Sequence, residues 1–173
     1  MKRLIYRFLL FFSLGVFAGL LLTTIGCKNK ETGEAQLKNK KGILFDKQGN
    51  PIPLPKDKLI VVNFFAYSCS SCMREMPTLK KIIQEPKYKD KFVLIGLALD
   101  ATKNDLSDPV FPKYANHNRN FLFFQVPGTP TTYIITPKGK KLVIIYGAVT
   151  EKSFRKFLDE ALEKYKKLQS QGA

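Results

Sequence analysis

The stretch that decides the fold of this chain runs from Phe64 to Pro77 and reads FFAYSCSSCMREMP. An apolar strand leads into two cysteines, Cys69 and Cys72, which are separated by two residues. A cysteine at the start of a helix meets unpaired backbone N–H groups and the positive end of the helix dipole, which favour the thiolate. A second cysteine one turn later can attack a mixed disulfide formed at the first. The spacing therefore indicates dithiol–disulfide exchange.

The flanking residues predict a strand, a helix and a second strand. Leu59–Ala66 is a nearly continuous apolar run, typical of a central strand covered on both faces. Pro77 should kink the following helix and Pro86 should end it. Phe92–Ala98 is a second buried strand, and the joining helix makes a right-handed parallel crossover that puts the cysteines at the C-terminal sheet edge. The helical stripe that should face the sheet consists of Cys72, Met76, Leu79 and Ile83.

Two weaker segments lie on either side of this unit. Ile43–Leu54 surrounds a turn rich in Gly, Asn and Pro, and it predicts a small, irregular β-hairpin. Between the second strand and residue 120 the pattern is faint, although Ser107-Asp108 followed by Pro109 can cap and start a short helix. Phe121–Phe124 fits either a short strand or a core-facing loop.

The C-terminal part predicts an antiparallel hairpin and a long helix. Two β-rich runs, Thr131–Ile135 and Leu142–Tyr146, flank a Thr-Pro-Lys-Gly sequence that suits a type I turn. Apolar side chains then recur every three or four residues after Thr150, which is a helix-capping residue. The predicted order, β-α-β-α-β-β-α, defines an α/β fold with a central mixed sheet and flanking helices.

This order, together with Cys-x-x-Cys at the head of the first helix, resembles the thioredoxin fold. Three motifs are similar to those of the TlpA/ResA group of membrane-anchored thiol–disulfide oxidoreductases, which includes the CcmG-type reductants of apocytochrome c. They are VNFFA at 62–66, CSSCMREMP at 69–77 and GTPTTY at 128–133. The resemblance implies a thioredoxin-like domain over residues 42–170, with the β-hairpin as an N-terminal extension.

The resemblance also implies roles for individual residues. Cys69 would be the attacking thiolate and Cys72 the resolving thiol. Pro130 would form a cis peptide with Thr129 and face the cysteine pair as part of the substrate-binding surface. Glu75 would accept or return the proton of Cys72, which requires a pKa raised by partial burial. The alternative for Glu75 is a solvent-facing glutamate that merely complements the helix dipole.

Two features depart from the pattern of the group. The chain has no tryptophan, and Tyr67 and Ser68 stand before the first cysteine where the group commonly has one, which leaves the mode of substrate docking open. The dipeptide between the cysteines is Ser70-Ser71, whose hydroxyls can donate to the Cys69 sulfur and help to stabilise thiolate. The reduction potential depends on this dipeptide without being readable from it, so the direction of electron flow stays open.

The N-terminus predicts export. Three basic residues, Lys2, Arg3 and Arg7, precede an uncharged apolar stretch, so residues 1–26 form a signal peptide or a membrane anchor. Thr24-Ile25-Gly26-Cys27 resembles a bacterial lipobox, in which Cys27 would be lipidated, although Thr24 stands where leucine is usual. Otherwise Cys27 is an ordinary cysteine behind an uncleaved anchor. Either alternative places the domain in the periplasm or on the outer face of the cytoplasmic membrane, behind a flexible, polar tether at 27–41.

Charge and cysteine content exclude several functions. The net charge of +15 comes from scattered lysines, which favours a solvated surface over nucleic-acid binding. Three cysteines and one histidine, His117, do not supply the four ligands of a closed zinc site, and His117 is interpreted as a loop residue. Met73 and Met76 are interpreted as core or groove residues rather than copper ligands. No metal or separate cofactor is expected beyond the Cys69–Cys72 disulfide.

Several functions remain open. The leading hypothesis is an extracytoplasmic reductase of disulfides in exported proteins, with apocytochrome c as the substrate that the resemblance implies and a membrane-embedded thiol donor as electron source. A general oxidase or isomerase comes second. A thiol peroxidase would usually have threonine where Ala66 stands, and a copper-delivery protein would space its cysteines by three residues. The protein is expected to be a monomer.

Overall fold

The computed structural model describes residues 41–171, in which five strands form one mixed sheet of order β3-β2-β1-β4-β5. The first helix follows β1 and the second follows β5. The elements are β1 (Leu59–Phe65), α1 (Ser70–Ile83), β2 (Phe92–Ala98), β3 (Lys113–Ala115), a 3₁₀ helix (Asn118–Leu122), β4 (Thr131–Ile135), β5 (Lys141–Tyr146) and α2 (Glu151–Gln171).

Strand β1 lies at the centre of the sheet, as its apolar sequence predicts. All seven of its residues are buried. It pairs in parallel with β2, from Leu59 opposite Phe92 to Phe65 opposite Ala98, and antiparallel with β4. The chain therefore leaves β1 in the middle of the C-terminal sheet edge, which is where the cysteines begin α1. The thioredoxin fold expected from the sequence is confirmed.

The two faces of the sheet bury different parts of the chain. One face packs against both helices through residues that include Val61, Leu79, Ile134, Phe154 and Leu158. The other face packs beneath the N-terminal segment and the residues after the 3₁₀ helix. The core on that side includes Leu44, Val62, Phe64, Phe124 and Tyr133. Covering both faces explains why β1 carries apolar residues at consecutive positions instead of alternating ones.

The prediction of a short helix starting at Ser107 is wrong. Asp108 does accept the backbone N–H groups of Val110 and Phe111, at 3.1 and 3.2 Å, but only a local turn follows. Phe111 is fully buried in the core, and strand β3 begins two residues later beside β2. Burial of this ring and pairing with β2 outweigh the weak local preference for a helix. A 3₁₀ helix follows β3 instead.

The segment Phe121–Phe124 is not a strand. It finishes the 3₁₀ helix and turns back towards the core, so that Leu122 is 86% exposed whereas Phe124 is fully buried. Asn120, itself buried, fixes this turn to the N-terminal segment: its amide pairs with both the N–H and the C=O of Phe45, at 3.0 and 2.8 Å.

The remaining sequence predictions agree with the structure in outline. The N-terminal hairpin is small and irregular, with a single bridge between Phe45 and Pro51 and a turn at Gly49, whose φ is +73°. The β4–β5 hairpin is antiparallel. Helix α2 begins after Thr150, whose Oγ1 accepts the N–H of Ser153 at 3.2 Å. Helix α1 ends at Ile83, before the proline at 86, and runs unbroken through the proline at 77, so the expected kink stays a prediction.

Some predictions concern residues that the structure does not describe. The signal peptide or anchor at 1–26, Cys27 and nearly all of the tether at 27–41 lie outside the described residues. Within residues 41–171, no helix combines the length and the apolar character that crossing a membrane requires.

Candidate active site

Cys69 occupies the N-cap of α1. Its backbone is extended, with φ −87° and ψ 105°, and its Sγ accepts the backbone N–H of Cys72 at 3.3 Å. The Cys69 carbonyl accepts the N–H of Met73 at 3.1 Å, which closes the first helical turn. Cys69 and Cys72 form a disulfide across a Cα–Cα distance of 5.3 Å. The sulfur of Cys69 thus lies where helix N–H groups stabilise negative charge.

The two cysteines differ in accessibility. Cys69 is half-buried, whereas Cys72 has 0% of its surface exposed and packs with Phe65 and Ala98. A partner protein can therefore reach the sulfur of Cys69 but not that of Cys72. This asymmetry matches the attacking and resolving roles that the sequence predicts for the pair.

Two groups lie beside the Cys69 sulfur. The Ser71 hydroxyl lies 3.2 Å from it and is the donor, because a disulfide sulfur has no hydrogen. The Thr129 carbonyl oxygen lies 3.6 Å from the same sulfur. The Thr129–Pro130 peptide is cis, as expected, and the Pro130 carbonyl accepts the N–H of Gly147 at 2.9 Å. The Thr129–Pro130 segment therefore lies beside the reactive sulfur, although these two residues are 60 positions from Cys69.

The turn before Cys69 is held by Asp100, a residue that the sequence reasoning missed. Its carboxylate oxygens accept the backbone N–H groups of Tyr67 and Ser68, at 2.9 and 3.0 Å. These hydrogen bonds, that of Ser68 above all, hold the pKa of the Asp100 carboxyl below its usual range. An acidic residue two positions after the end of a buried strand is the sequence signal that was available. Asp100 thus ties the turn that leads into the cysteines to the segment after β2.

Glu75 is buried behind the cysteines, with 3% of its surface exposed. Its Oε1 accepts the side-chain N–H of Asn63 at 3.0 Å, and its Oε2 accepts the backbone N–H of Val149 at 3.0 Å. Burial raises the pKa of the Glu75 carboxyl, and these two hydrogen bonds offset the rise only in part. The alternative of a solvent-facing glutamate is wrong. The helical stripe that faces the sheet includes Glu75 itself, together with Cys72, Leu79, Ile82 and Ile83.

A second polar residue, Asn63, shares this buried region and was given no role from the sequence. It is fully buried and lies directly opposite Thr132 in the β1–β4 pairing. Its Nδ2 donates to Thr132 Oγ1 at 2.9 Å as well as to Glu75. The available signal was a single amide inside the apolar run of β1. Asn63, Glu75 and Thr132 form a buried polar network, which we call the buried triad.

His117, Met73 and Met76 contribute to turns and packing in the structure. The Nδ1 atom of His117 accepts the N–H of Arg119 at 3.0 Å at the start of the 3₁₀ helix, so His117 is a loop residue as expected. Met73 and Met76 are half-buried and pack against the cluster around Cys72. Within residues 41–171, no group of three or more His, Cys, Asp or Glu side chains is arranged to hold a metal ion.

The fold and the site together define a class of protein: a thioredoxin-fold domain with a redox-active Cys-x-x-Cys pair at the N-terminus of its first helix. The model of the thioredoxin-like domain family matches residues 52–162, and the chain belongs to this family.

Three known proteins illustrate the relationship. The thiol-disulfide oxidoreductase ResA of Bacillus cereus is 28% identical over 168 residues, which cover 91% of this chain and 95% of ResA. The thioredoxin-like protein YneN of Bacillus subtilis is 29% identical over 60% of this chain and 65% of YneN. The exposed lipoprotein thioredoxin Etrx1 of Streptococcus pneumoniae has the same fold, with a TM-score of 0.53 at 20% identity over 68% of this chain and 96% of that one. With its Cys69–Cys72 pair at disulfide distance, this chain is a thiol–disulfide oxidoreductase.

Proposed function

We propose that this protein is an extracytoplasmic dithiol reductase that reduces disulfides in exported proteins. The observation that carries the proposal is the pairing of an accessible Cys69 at a helix N-cap with a fully buried Cys72. An exchange enzyme needs one sulfur that meets the substrate and a second that is kept for the intramolecular step. The 28% identity with ResA along nearly the whole chain supports the same function.

The chemistry begins with the reduced pair. The Cys69 thiolate attacks one sulfur of the substrate disulfide, so that a Cys69–substrate bond forms, the substrate S–S bond breaks, and the departing substrate thiolate takes up a proton. Cys72 then loses its proton, and its thiolate attacks Cys69 Sγ. This step forms the Cys69–Cys72 disulfide and releases the second substrate thiolate. Two electrons pass from the enzyme to the substrate, and an external dithiol must restore the reduced pair.

Glu75 is the group that would handle the proton of Cys72. It lies one helical turn beyond Cys72 on α1 and, like Cys72, is buried. A carboxylate whose pKa is raised by burial is a stronger base than an exposed one, and it can later return the proton. Thr129 and Pro130 would bind the substrate backbone beside the Cys69 sulfur, which lies 3.6 Å from the Thr129 carbonyl.

The cellular setting follows from the N-terminal sequence. Residues 1–26 would direct export, and Cys27 would carry a lipid that holds the domain at the outer face of the cytoplasmic membrane. A membrane-embedded thiol protein would then supply electrons. Apocytochrome c is the proposed substrate because the three sequence motifs resemble the TlpA/ResA group. Mass spectrometry of the membrane-extracted protein tests the anchor, because an intact Met1 terminus contradicts lipidation of Cys27.

The reduction potential of the Cys69–Cys72 pair tests the direction of electron flow. A value near that of thioredoxin, roughly −270 mV, together with insulin reduction, supports a reductase. A value near that of a strong oxidant, roughly −120 mV, contradicts the proposal and favours the oxidase alternative.

Single cysteine variants test the two roles. Cys69→Ser should abolish exchange, whereas Cys72→Ser should accumulate mixed disulfides, because the intramolecular release step is lost. Non-reducing gels of proteins extracted from cells that express each variant would show the difference. Full turnover by Cys69→Ser, or equal trapping by both variants, would contradict the assignment.

A further inference from the structure

The buried triad leaves one polar atom unsatisfied. Asn63 Nδ2 donates to both Glu75 Oε1 and Thr132 Oγ1, but Asn63 Oδ1 is buried and has no hydrogen-bond partner within residues 41–171. Burying an amide oxygen without a partner is destabilising, because the hydrogen bonds that it made to water are not replaced. Such an exception in an otherwise satisfied core calls for a reason, and here it lies next to a carboxyl group that is proposed to exchange a proton.

We propose that Asn63 is a positioning residue that reverses its side-chain amide when Glu75 gains or loses a proton. With Glu75 ionised, Nδ2 donates to Oε1. With Glu75 protonated, the amide turns about its Cβ–Cγ bond so that Oδ1 accepts the Oε1–H group. This inference rests on the proposed function, because it concerns the same proton that Glu75 takes from Cys72.

The geometry specifies which oxygen of Glu75 carries the proton. Oε2 accepts the Val149 backbone N–H at 3.0 Å, and a backbone donor cannot reverse. Oε2 therefore stays an acceptor, and the proton is placed on Oε1, 3.0 Å from Asn63. In the observed orientation two donors would then face each other. An amide can remove this conflict without moving its backbone, because its donor and acceptor ends have nearly the same shape.

Thr132 permits the reversal. Its hydroxyl can accept a hydrogen bond from Asn63 Nδ2 or donate one to Asn63 Oδ1, because a hydroxyl offers both functions and rotates freely. In either orientation one end of the Asn63 amide is paired twice and the other end is unpaired. The orientation that suits ionised Glu75 leaves Asn63 Oδ1 unpaired, and the orientation that suits protonated Glu75 leaves the two N–H groups of Nδ2 unpaired.

Among residues 41–171, no charged side chain competes with Asn63 for this role. The influences on the Glu75 pKa are burial and its two hydrogen bonds, and none of them comes from a charge. The buried side chains of the strands and of α2 on this face of the sheet are uncharged; they include Val61, Phe65, Ile134, Ile145, Phe154 and Leu158. Cys72 lies one turn earlier on α1 and is held in the disulfide. Tyr88 belongs to the same core cluster, and burial raises the pKa of its hydroxyl, so it stays neutral at ordinary pH. Burial and the fixed Val149 N–H affect the Glu75 pKa more strongly, and Asn63 is the side chain within residues 41–171 whose hydrogen bond lowers it.

The test titrates the Glu75 carboxyl in the oxidised full-length protein in detergent, by NMR of ¹³Cδ-labelled glutamate, with the signal assigned by its loss in Glu75→Gln. Asn63→Ala should move the midpoint upward by up to about one pH unit, because the bond lost from the ionised state is charge-assisted and roughly twice as strong as the neutral bond lost from the protonated state. Val61→Ala removes side-chain volume two residues earlier on the same face of β1 and should leave the midpoint unchanged. An unchanged midpoint in Asn63→Ala, or an equal shift in Val61→Ala, would overturn the inference.

A measurement on the unmutated protein avoids any folding defect of the variant. The side-chain ¹⁵N–¹H₂ signals of Asn63 should change with the same midpoint as the Glu75 carboxyl, and signals that stay constant through that titration would refute the reversal. Failure of the proposed function has a different signature. If Glu75→Gln leaves the pH profile of mixed-disulfide resolution unchanged, Glu75 does not handle the proton, whatever Asn63 does.

Discussion

Replacing Glu75 by glutamine should make the protein more stable at neutral pH than it is with its natural residue. Two hydrogen bonds to the carboxylate, each worth about 1.5–3 kcal/mol, favour the ionised form. Burial nevertheless raises the pKa above its ordinary value of 4.5, so the cost of burying the charge exceeds what both bonds return. Glutamine resembles the protonated acid in shape and hydrogen bonding, and it carries no charge to bury.

The direction of this stability change, and the pH range in which it occurs, follow from the linkage between proton binding by Glu75 and folding. At pH values well below 4.5 the Glu75 carboxyl is protonated in both the folded and the unfolded protein, so its contribution to stability does not depend on pH. As the pH rises through the raised folded value, the unfolded protein releases its proton more readily, and the natural protein loses stability. The loss is at most about 1.4 kcal/mol per pH unit within the window. Glu75→Gln removes this loss.

Urea unfolding of the oxidised protein at a series of pH values measures the effect. The free energy of unfolding of Glu75→Gln, minus that of the natural protein, should rise between about pH 4 and about pH 8, by no more than about 1.4 kcal/mol per pH unit. Taking the change with pH cancels any constant difference in packing. Glu163→Gln, on the exposed face of α2, makes the same chemical change away from the site and should give a flat difference. A flat or falling difference for Glu75→Gln would refute the reasoning.

Three further predictions concern the support of the site. Asn120→Ala should lower the free energy of unfolding by about 2–4 kcal/mol in urea, because it leaves both backbone groups of Phe45 unpaired in the core. Gly96→Ala should cost about 1–3 kcal/mol in the same assay, since its Cβ would lie 2.9 Å from the Phe65 ring. Asp100→Ala should slow insulin reduction and speed amide hydrogen exchange in the turn before Cys69, because two hydrogen bonds to that turn are lost. In the natural protein the same exchange should speed up as the pH falls through the lowered pKa of Asp100, because protonation weakens these bonds.

Local pattern was enough for the parts of the fold that one segment determines. β1 and β2 carry runs of apolar residues long enough to mark buried strands, and α2 has a regular apolar stripe behind a threonine cap. The region from Ser107 to β3 was predicted wrongly because its structure depends on distant partners: Phe111 fills a gap in the core, and β3 exists only by pairing with β2. A capping residue signals where a helix can start, not whether burial elsewhere prevents it.

The candidate site likewise has parts that neighbouring residues predict and parts that depend on distant partners. The cysteine pair and its helix position follow from a few neighbouring residues, and the motif resemblance extended the prediction to Pro130 and Glu75. The burial of Glu75 and the network around it depend on strand register, since Asn63 meets Thr132 across 69 residues of chain. The role of Asp100 depends on the end of β2 lying beside the end of β1. Neither contact has a periodic or spacing signal in the sequence.

The N-cap position of Cys69 has a kinetic consequence. Its sulfur accepts the Cys72 N–H in the disulfide, and a thiolate is a better acceptor, so opening the disulfide does not require α1 to unwind. Since Cys72 is inaccessible, whichever protein donates electrons and whichever receives them must take turns at a single sulfur. Steady-state turnover should accordingly follow a ping-pong pattern, in which each partner competes with the other for the enzyme.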